Sequence, residues 1–196
     1  MEIDVAEIDP AVIEVAKCYF QFKEGEKLRV HPVDGRLFLS QAIQPYDMIL
    51  LDAYQANGIP FHLITKEFFE MAEKKLTAQG IMVINVIGSI IGNESKVFRS
   101  LVKTLRRVYP QIYIFPVRGS DKLSLNTSQN IILLASKDFK RLSIQEIVQR
   151  AASIGLNLFP EPPEKIQASY YCDELPDDDV PEYTDDYTPT DNLLHL

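Results

Sequence analysis

Val5-Ala6-Glu7-Ile8-Asp9-Pro10 is the stretch that decides the fold. Apolar residues run into an acid, and a helix start follows. Asp9 can cap that helix, and proline suits its first position, where no amide donor is needed. A carboxylate at the tip of a parallel strand, just before a helix, is where nucleotide-binding α/β folds hold a ribose through its two hydroxyls. Such a strand normally follows another strand and a glycine-rich turn. Here only Met1-Glu2-Ile3-Asp4 precedes it, so the sequence predicts a nucleoside-binding fold that starts at its second strand.

Working outward, Ile3 to Ile8 reads as a strand. The helix after it carries an apolar stripe of Val12, Val15, Ala16 and Tyr19. Leu28 to His31 is a second strand, and Arg36 to Ala42 a short helix that Pro45 ends. Tyr46 to Leu51 is nearly continuous in apolar residues, the mark of a strand buried on both faces. A loop over Ala53–Pro60 leads to a helix over Thr65–Leu76, which Gly80 is expected to stop. Ile81 to Val86 is another buried strand, and Glu94 to Val108 a helix with a basic outer face of Lys96, Arg99, Lys103, Arg106 and Arg107. Ile112–Val117 and Asn130–Ala135 are strands joined by a loop too short for a crossover helix, so they pair antiparallel. Ser143-Ile144-Gln145-Glu146 opens a helix with a capping box. The alternation predicts an α/β fold with a mostly parallel sheet, helices on both faces and one antiparallel strand near the end.

Ligands of open α/β sheets bind beyond the carboxyl ends of the strands. Those ends are, in order, Glu7, Asp34, Asp52 and Asn85. Glu7 is placed to accept from a ribose diol. Asp34, with the Gly35 backbone close by, is placed to accept from an exocyclic amine of adenine. Asp52 is central, where a carboxylate can hold a cationic amine or take its proton before nucleophilic attack. Each acid also has a plainer reading: Asp9 is a helix cap, Glu7 can be one, and Asp34-Gly35 and Asp52 can belong to ordinary turns. Their recurrence at successive strand ends favours the site.

Composition narrows the classes. Hydrophobic residues are 46% of the 196, enough for a sizeable core, and no apolar run approaches the roughly 18–20 residues that span a bilayer. Cys18 and Cys172 form no C-x-x-C and are expected as free thiols, and the three histidines do not cluster, so no metal site is expected. The net charge of −8 is uneven: residues 160–196 carry −10 and the rest +2. Neither part has the concentrated basic face that nucleic acid requires. The expected organisation is a domain over 1–157 and an acidic tail over 158–196, in the cytoplasm, with no membrane contact.

Several blocks resemble the spermidine synthase family of polyamine aminopropyltransferases, a branch of the Rossmann-like methyltransferase fold. They are Val5 to Ala16, Val33-Asp34-Gly35-Arg36-Leu37-Phe38-Leu39, Tyr46 to Tyr54 and Ile59 to Phe68. The resemblance implies transfer of an aminopropyl group from decarboxylated S-adenosylmethionine to an amine, releasing methylthioadenosine, with no permanently bound cofactor. It implies Glu7 on the ribose, Asp34 on the adenine, Asp52 serving the attacking amine, and Tyr54 and Gln55 beside the substrate. It also implies a homodimer.

This chain departs from the family pattern. The first strand and its glycine loop are absent, which should leave a hole in the sheet because that strand is central. Gln55 stands where a second aspartate is usual, and the family's β-rich N-terminal domain is missing. The end of the tail, Thr184-Asp185-Asp186-Tyr187-Thr188-Pro189, resembles a terminal motif of the divergent spermidine synthase-like branch. Residues 161–181 are expected to be loose and 184–194 to fold back, with Asp185 and Asp186 replacing the missing acid. Two alternatives stand beside aminopropyl transfer: an S-adenosylmethionine-dependent methyltransferase, and a non-catalytic remnant that binds a nucleoside or a partner.

Overall fold

A computed structural model describes residues 1–54, 58–117, 122–153, 166–167 and 169–187. Six strands and six α-helices follow in the order β1 (Ile3–Ala6), α1 (Pro10–Tyr19), β2 (Leu28–His31), α2 (Gly35–Gln41), β3 (Tyr46–Leu51), α3 (Lys66–Lys75), β4 (Leu76–Gly88), α4 (Lys96–Arg106), β5 (Gln111–Pro116), α5 (Lys122–Leu125), β6 (Gln129–Ser136) and α6 (Ile144–Ser153). The chain divides into two compact units, Met1–Pro45 and Tyr46–Leu196. The boundary expected at 157/158 lies outside the described residues.

In the first unit β1 and β2 form a parallel pair in the register Ile3↔Leu28 to Ala6↔His31. Asp9 caps α1, its carboxylate accepting from the Ala11 amide at 2.8 Å, and Pro10 opens the helix as expected. The apolar stripe does not reach a core. Val12, Val15 and Tyr19 are exposed, while Ile13 and Ala16 are half-buried. Leu39 is this unit's one buried hydrophobic residue among those described.

The second unit carries a four-stranded sheet in the order β3-β4-β6-β5. β3 and β4 are parallel, and β6 runs antiparallel to both of its neighbours; for β5 the short connection requires it. The strands thus form two sheets, one in each unit. Alternation along β4 buries Met82, Ile84 and Val86 with Phe69 and Ala72 of α3 and Phe98, Leu101 and Leu105 of α4. The opposite face of β4 is shallower, with Ile87 55% exposed.

Gly80 does not stop α3. The helix ends at Lys75, and Gly80 lies inside β4 where the β3 register shifts between Tyr46 and Met48. A Cβ there would sit 3.0 Å from the Tyr46 carbonyl and from the Thr77 nitrogen, so the close approach of β3 requires glycine.

The acidic tail also differs from its composition. Over 170–183 it is docked, burying Tyr171, Leu175, Val180 and Tyr183. The basic face of α4 provides the partners. Arg99 forms a two-point ion pair with Asp179 and donates to the Pro176 carbonyl at 2.9 Å. Lys103 Nζ donates to the carbonyls of Asp177 and Val180 at 2.7 and 2.8 Å, and Arg107 pairs with Glu182. Charge complementarity and four apolar anchors offset the ordering cost that the composition alone would leave unmet.

Candidate functional site

β3 ends at Leu51, which pairs with Ile84, so the next residues, Asp52 and Asn85, are neighbours; Asn85 is not the strand end that was expected, because β4 runs on to Gly88 beside β6. Asn85 Nδ2 donates to Asp52 Oδ1 at 2.9 Å. The Tyr54 hydroxyl donates to the Asn85 backbone carbonyl at 2.6 Å and ties the chain leaving β3 to β4. Partial burial, and then the charge of Asp52, push the Tyr54 hydroxyl up to about 12, so it remains a neutral donor at ordinary pH. Asp52 is exposed, so its second oxygen is open to a ligand. Asn85 Oδ1 is buried and has no hydrogen-bond donor among the described residues. An exposed carboxylate next to an unsatisfied amide oxygen is an acceptor-rich corner, suited to a group that brings several N–H donors. Asn85 stood in the sequence as the fourth strand end without a role; its adjacency to Asp52 makes it part of the site.

In the first unit Glu7 follows β1. Its amide extends the ladder to the His31 carbonyl at 3.1 Å, and its Oε1 accepts from the Asp9 amide at 2.8 Å. One carboxylate oxygen therefore braces the start of α1 and the other remains for a ligand. Asp34 is the N-cap of α2, with Oδ1 accepting from the Leu37 amide at 2.9 Å, and Gly35 is the first residue of that helix. Among the described residues, no atom beyond the chain neighbours and the helix's own backbone lies within 4 Å of the place where a Gly35 Cβ would be, so the backbone is open to close approach there. His31, Pro32, Val33, Phe38, Gln41 and Ala42 line a concave surface of about 450 Å³ next to Asp34.

A cluster that the sequence reading missed lies on the same ladder. Asp4 accepts from Arg29 Nε at 3.0 Å and from His31 Nε2 at 2.9 Å, and His31 stacks on Phe38 with ring centroids 4.5 Å apart. The hydrogen bonds from Arg29 and then His31 hold the Asp4 carboxyl below the usual carboxylate range. The pairing Asp4↔Arg29 and Ala6↔His31 produces this cluster, and it becomes visible only once the β1–β2 register is known.

Of the other candidates, Gln55 lies outside the described residues. Asp185 Oδ1 accepts from Thr65 Oγ1 at 2.7 Å at the start of α3, and Asp186 next to it is exposed. Cys18 and Cys172 are free and exposed. Among the described residues no group of three His, Cys, Asp or Glu side chains gathers to hold a metal ion, and no helix is long and apolar enough to cross a membrane.

The family model for the spermine/spermidine synthase domain matches residues 1–125. A polyamine aminopropyltransferase of Vibrio vulnificus is 36% identical over 118 residues, covering 59% of this chain and 38% of that protein. The human eEF1A lysine and N-terminal methyltransferase is 26% identical over 129 residues, covering 60% and 18%. The crystal structure of a probable spermidine synthase from Corynebacterium glutamicum superposes with a TM-score of 0.69 at 17% identity, over 95% of this chain and 64% of that one, and shows the shared fold. The chain spans less than two fifths of the length of both curated relatives. With a family-model match over residues 1–125, most of its length, the chain belongs to the spermine/spermidine synthase family.

Proposed function

We propose that the chain serves an aminopropyl transfer, with Asp52 as the group that receives the acceptor amine. The observation that carries this is the corner where β3 ends against Asn85 of β4, with the Asn85 amide holding the exposed Asp52 carboxylate at 2.9 Å. In the reaction the lone pair of a neutral amine attacks the propyl carbon bound to a sulfonium. The new C–N bond forms as the C–S bond breaks, and the thioether departs with the bonding electrons. The nitrogen then sheds a proton, which the Asp52 carboxylate accepts. Asn85 fixes the direction of that carboxylate, and neutral Tyr54 donates without competing for the cation.

The first unit, taken by itself, has acceptors of the kind a nucleoside requires. Glu7 offers its second oxygen to a ribose diol, and Asp34 and the open backbone at Gly35 offer an edge to adenine. The co-substrate is decarboxylated S-adenosylmethionine and the product methylthioadenosine. Likeness to the human methyltransferase supports a second reading, methyl transfer from intact S-adenosylmethionine.

Titration calorimetry with the two sulfonium compounds separates these readings. Aminopropyl transfer requires tighter binding of the decarboxylated form, because an amine end carries no carboxylate to repel Asp52. Preference for intact S-adenosylmethionine would support the methyltransferase reading. Failure to bind either would leave the non-catalytic reading standing.

A further inference from the structure

The docked tail ends in a contact that the amine chemistry does not use. Tyr183 is fully buried, its amide donating to Thr104 Oγ1 at 2.9 Å, and its carbonyl accepts the Lys66 amide of α3 at 2.9 Å. Thr184 and Tyr187 then close a tight turn through two backbone bonds of 2.9 and 3.0 Å. Within that turn Asp185 reaches α3 twice. Its Oδ1 accepts from Thr65 Oγ1, and its amide donates to Glu67 Oε2 at 2.9 Å.

Thr65 is the N-cap of α3, accepting from the Phe68 amide at 3.3 Å. A hydroxyl has one hydrogen. Giving it to Asp185 turns a lone pair of the same oxygen toward Phe68, so Asp185 orients the cap. Thr65, Lys66 and Glu67, three consecutive residues at the helix start, are thus each bonded to the tail.

The chain just before Thr65 is fixed as well. Pro60 to Ile64 form a tight turn with bonds of 2.9 and 3.1 Å, and Leu63 and Ile64 are buried. That turn ends the loop that begins at Asp52 and Tyr54. Tyr54 is tied to Asn85 at the near end, and the tail secures the far end. A helix start held by the tail sets the direction from which the chain coming from Asp52 and Tyr54 enters α3.

We propose that Asp185 is a positioning residue, through which the tail segment Tyr183–Asp185 holds the far end of the loop carrying Asp52 and Tyr54. Its carboxylate acts on Thr65, not on the substrate. The role rests on the reading of Asp52 as the amine acceptor.

The test compares Asp185→Ala, Asp185→Asn and the unsubstituted chain in hydrogen exchange and in calorimetry with 1,4-diaminobutane and methylthioadenosine. In Asp185→Ala, amides 58–68 exchange faster while α4 amides 98–105 do not. Diamine affinity falls about threefold to tenfold with methylthioadenosine affinity unchanged, the range of one lost hydrogen bond. Asp185→Asn keeps an acceptor for Thr65 and recovers most of both. Unchanged exchange over 58–68 overturns the proposal, and so does faster exchange with unchanged diamine affinity, which would leave Asp185 a helix cap alone. If the unsubstituted chain binds no diamine, the reading of Asp52 fails and takes the functional part of the proposal with it, while the exchange result still shows whether the tail holds the loop.

Discussion

Replacing Tyr183 by alanine should loosen the tail and destabilise the second unit together. The side chain is fully buried, and the backbone on either side of it bonds to Thr104 and Lys66. Truncating a fully buried aromatic residue to alanine costs about 3–5 kcal/mol, from lost burial and the cavity left behind. The tail can also respond by undocking, which exposes Leu175 and Val180, so the docking energy of the whole segment limits the loss. For a chain of this size each kcal/mol lowers the melting temperature by about 2–4 °C, giving a fall of about 6–20 °C. Circular dichroism melts measure it directly. Tyr187→Ala is the control, because Tyr187 is 57% exposed and its loss should change stability by less than about 0.5 kcal/mol. Equal melting temperatures for Tyr183→Ala and Tyr187→Ala would show that the tail is not part of the folded unit and refute the reasoning.

Three further outcomes are expected. Glu7→Gln should weaken methylthioadenosine binding, because a charged acceptor for a diol becomes a neutral amide, and calorimetry showing equal affinity would make Glu7 only a brace for α1. Acid should release the tail. Hydrogen bonds from Arg99 and Arg107 hold Asp179 and Glu182 below their ordinary values of 3.8 and 4.5, so their contribution is present above those values and is lost as pH falls beneath them. Faster amide exchange over 175–185 as the pH drops from 5 to 3, beyond the intrinsic pH dependence of exchange, is the signature, and protection that does not change would contradict it. Gly92→Ala should cost about 1–3 kcal/mol in urea unfolding, because Gly92 has φ +83° and ψ −174°, a conformation that only glycine adopts readily, and an added Cβ would fall 1.9 Å from Asn126 Oδ1; an unchanged midpoint would show that the turn adapts.

The strand ends were legible because a parallel strand must finish where its connection begins, and an acid after an apolar run marks that place. Asp52 and Asn85 were each read as strand ends, but their pairing depends on the β3–β4 register, which the sequence does not show. Asp4, Arg29 and His31 could not, since they meet only through the β1–β2 register across 25 to 27 residues. The docking of the tail was hidden for the same reason: Asp179 lies 80 residues from Arg99, and composition reports how many charges a segment carries but not the helix that neutralises them. Gly80 misled because glycine ends helices often, whereas here it serves the close approach of Tyr46. The exposure of Val12 and Val15 shows the limit of helical periodicity, which gives an apolar face without telling what covers it.

The central claim is that Asp52 receives the acceptor amine, and product formation tests it most directly. Incubating the chain with decarboxylated S-adenosylmethionine and 1,4-diaminobutane and following both products by mass spectrometry should show the diamine gaining one aminopropyl group in step with methylthioadenosine. Asp52→Asn keeps the bond partner of Asn85 but cannot take the proton, and should lower the rate by about 10²–10⁴-fold. Equal rates for Asp52→Asn and the unsubstituted chain, or no aminopropylated diamine from either, would contradict the account.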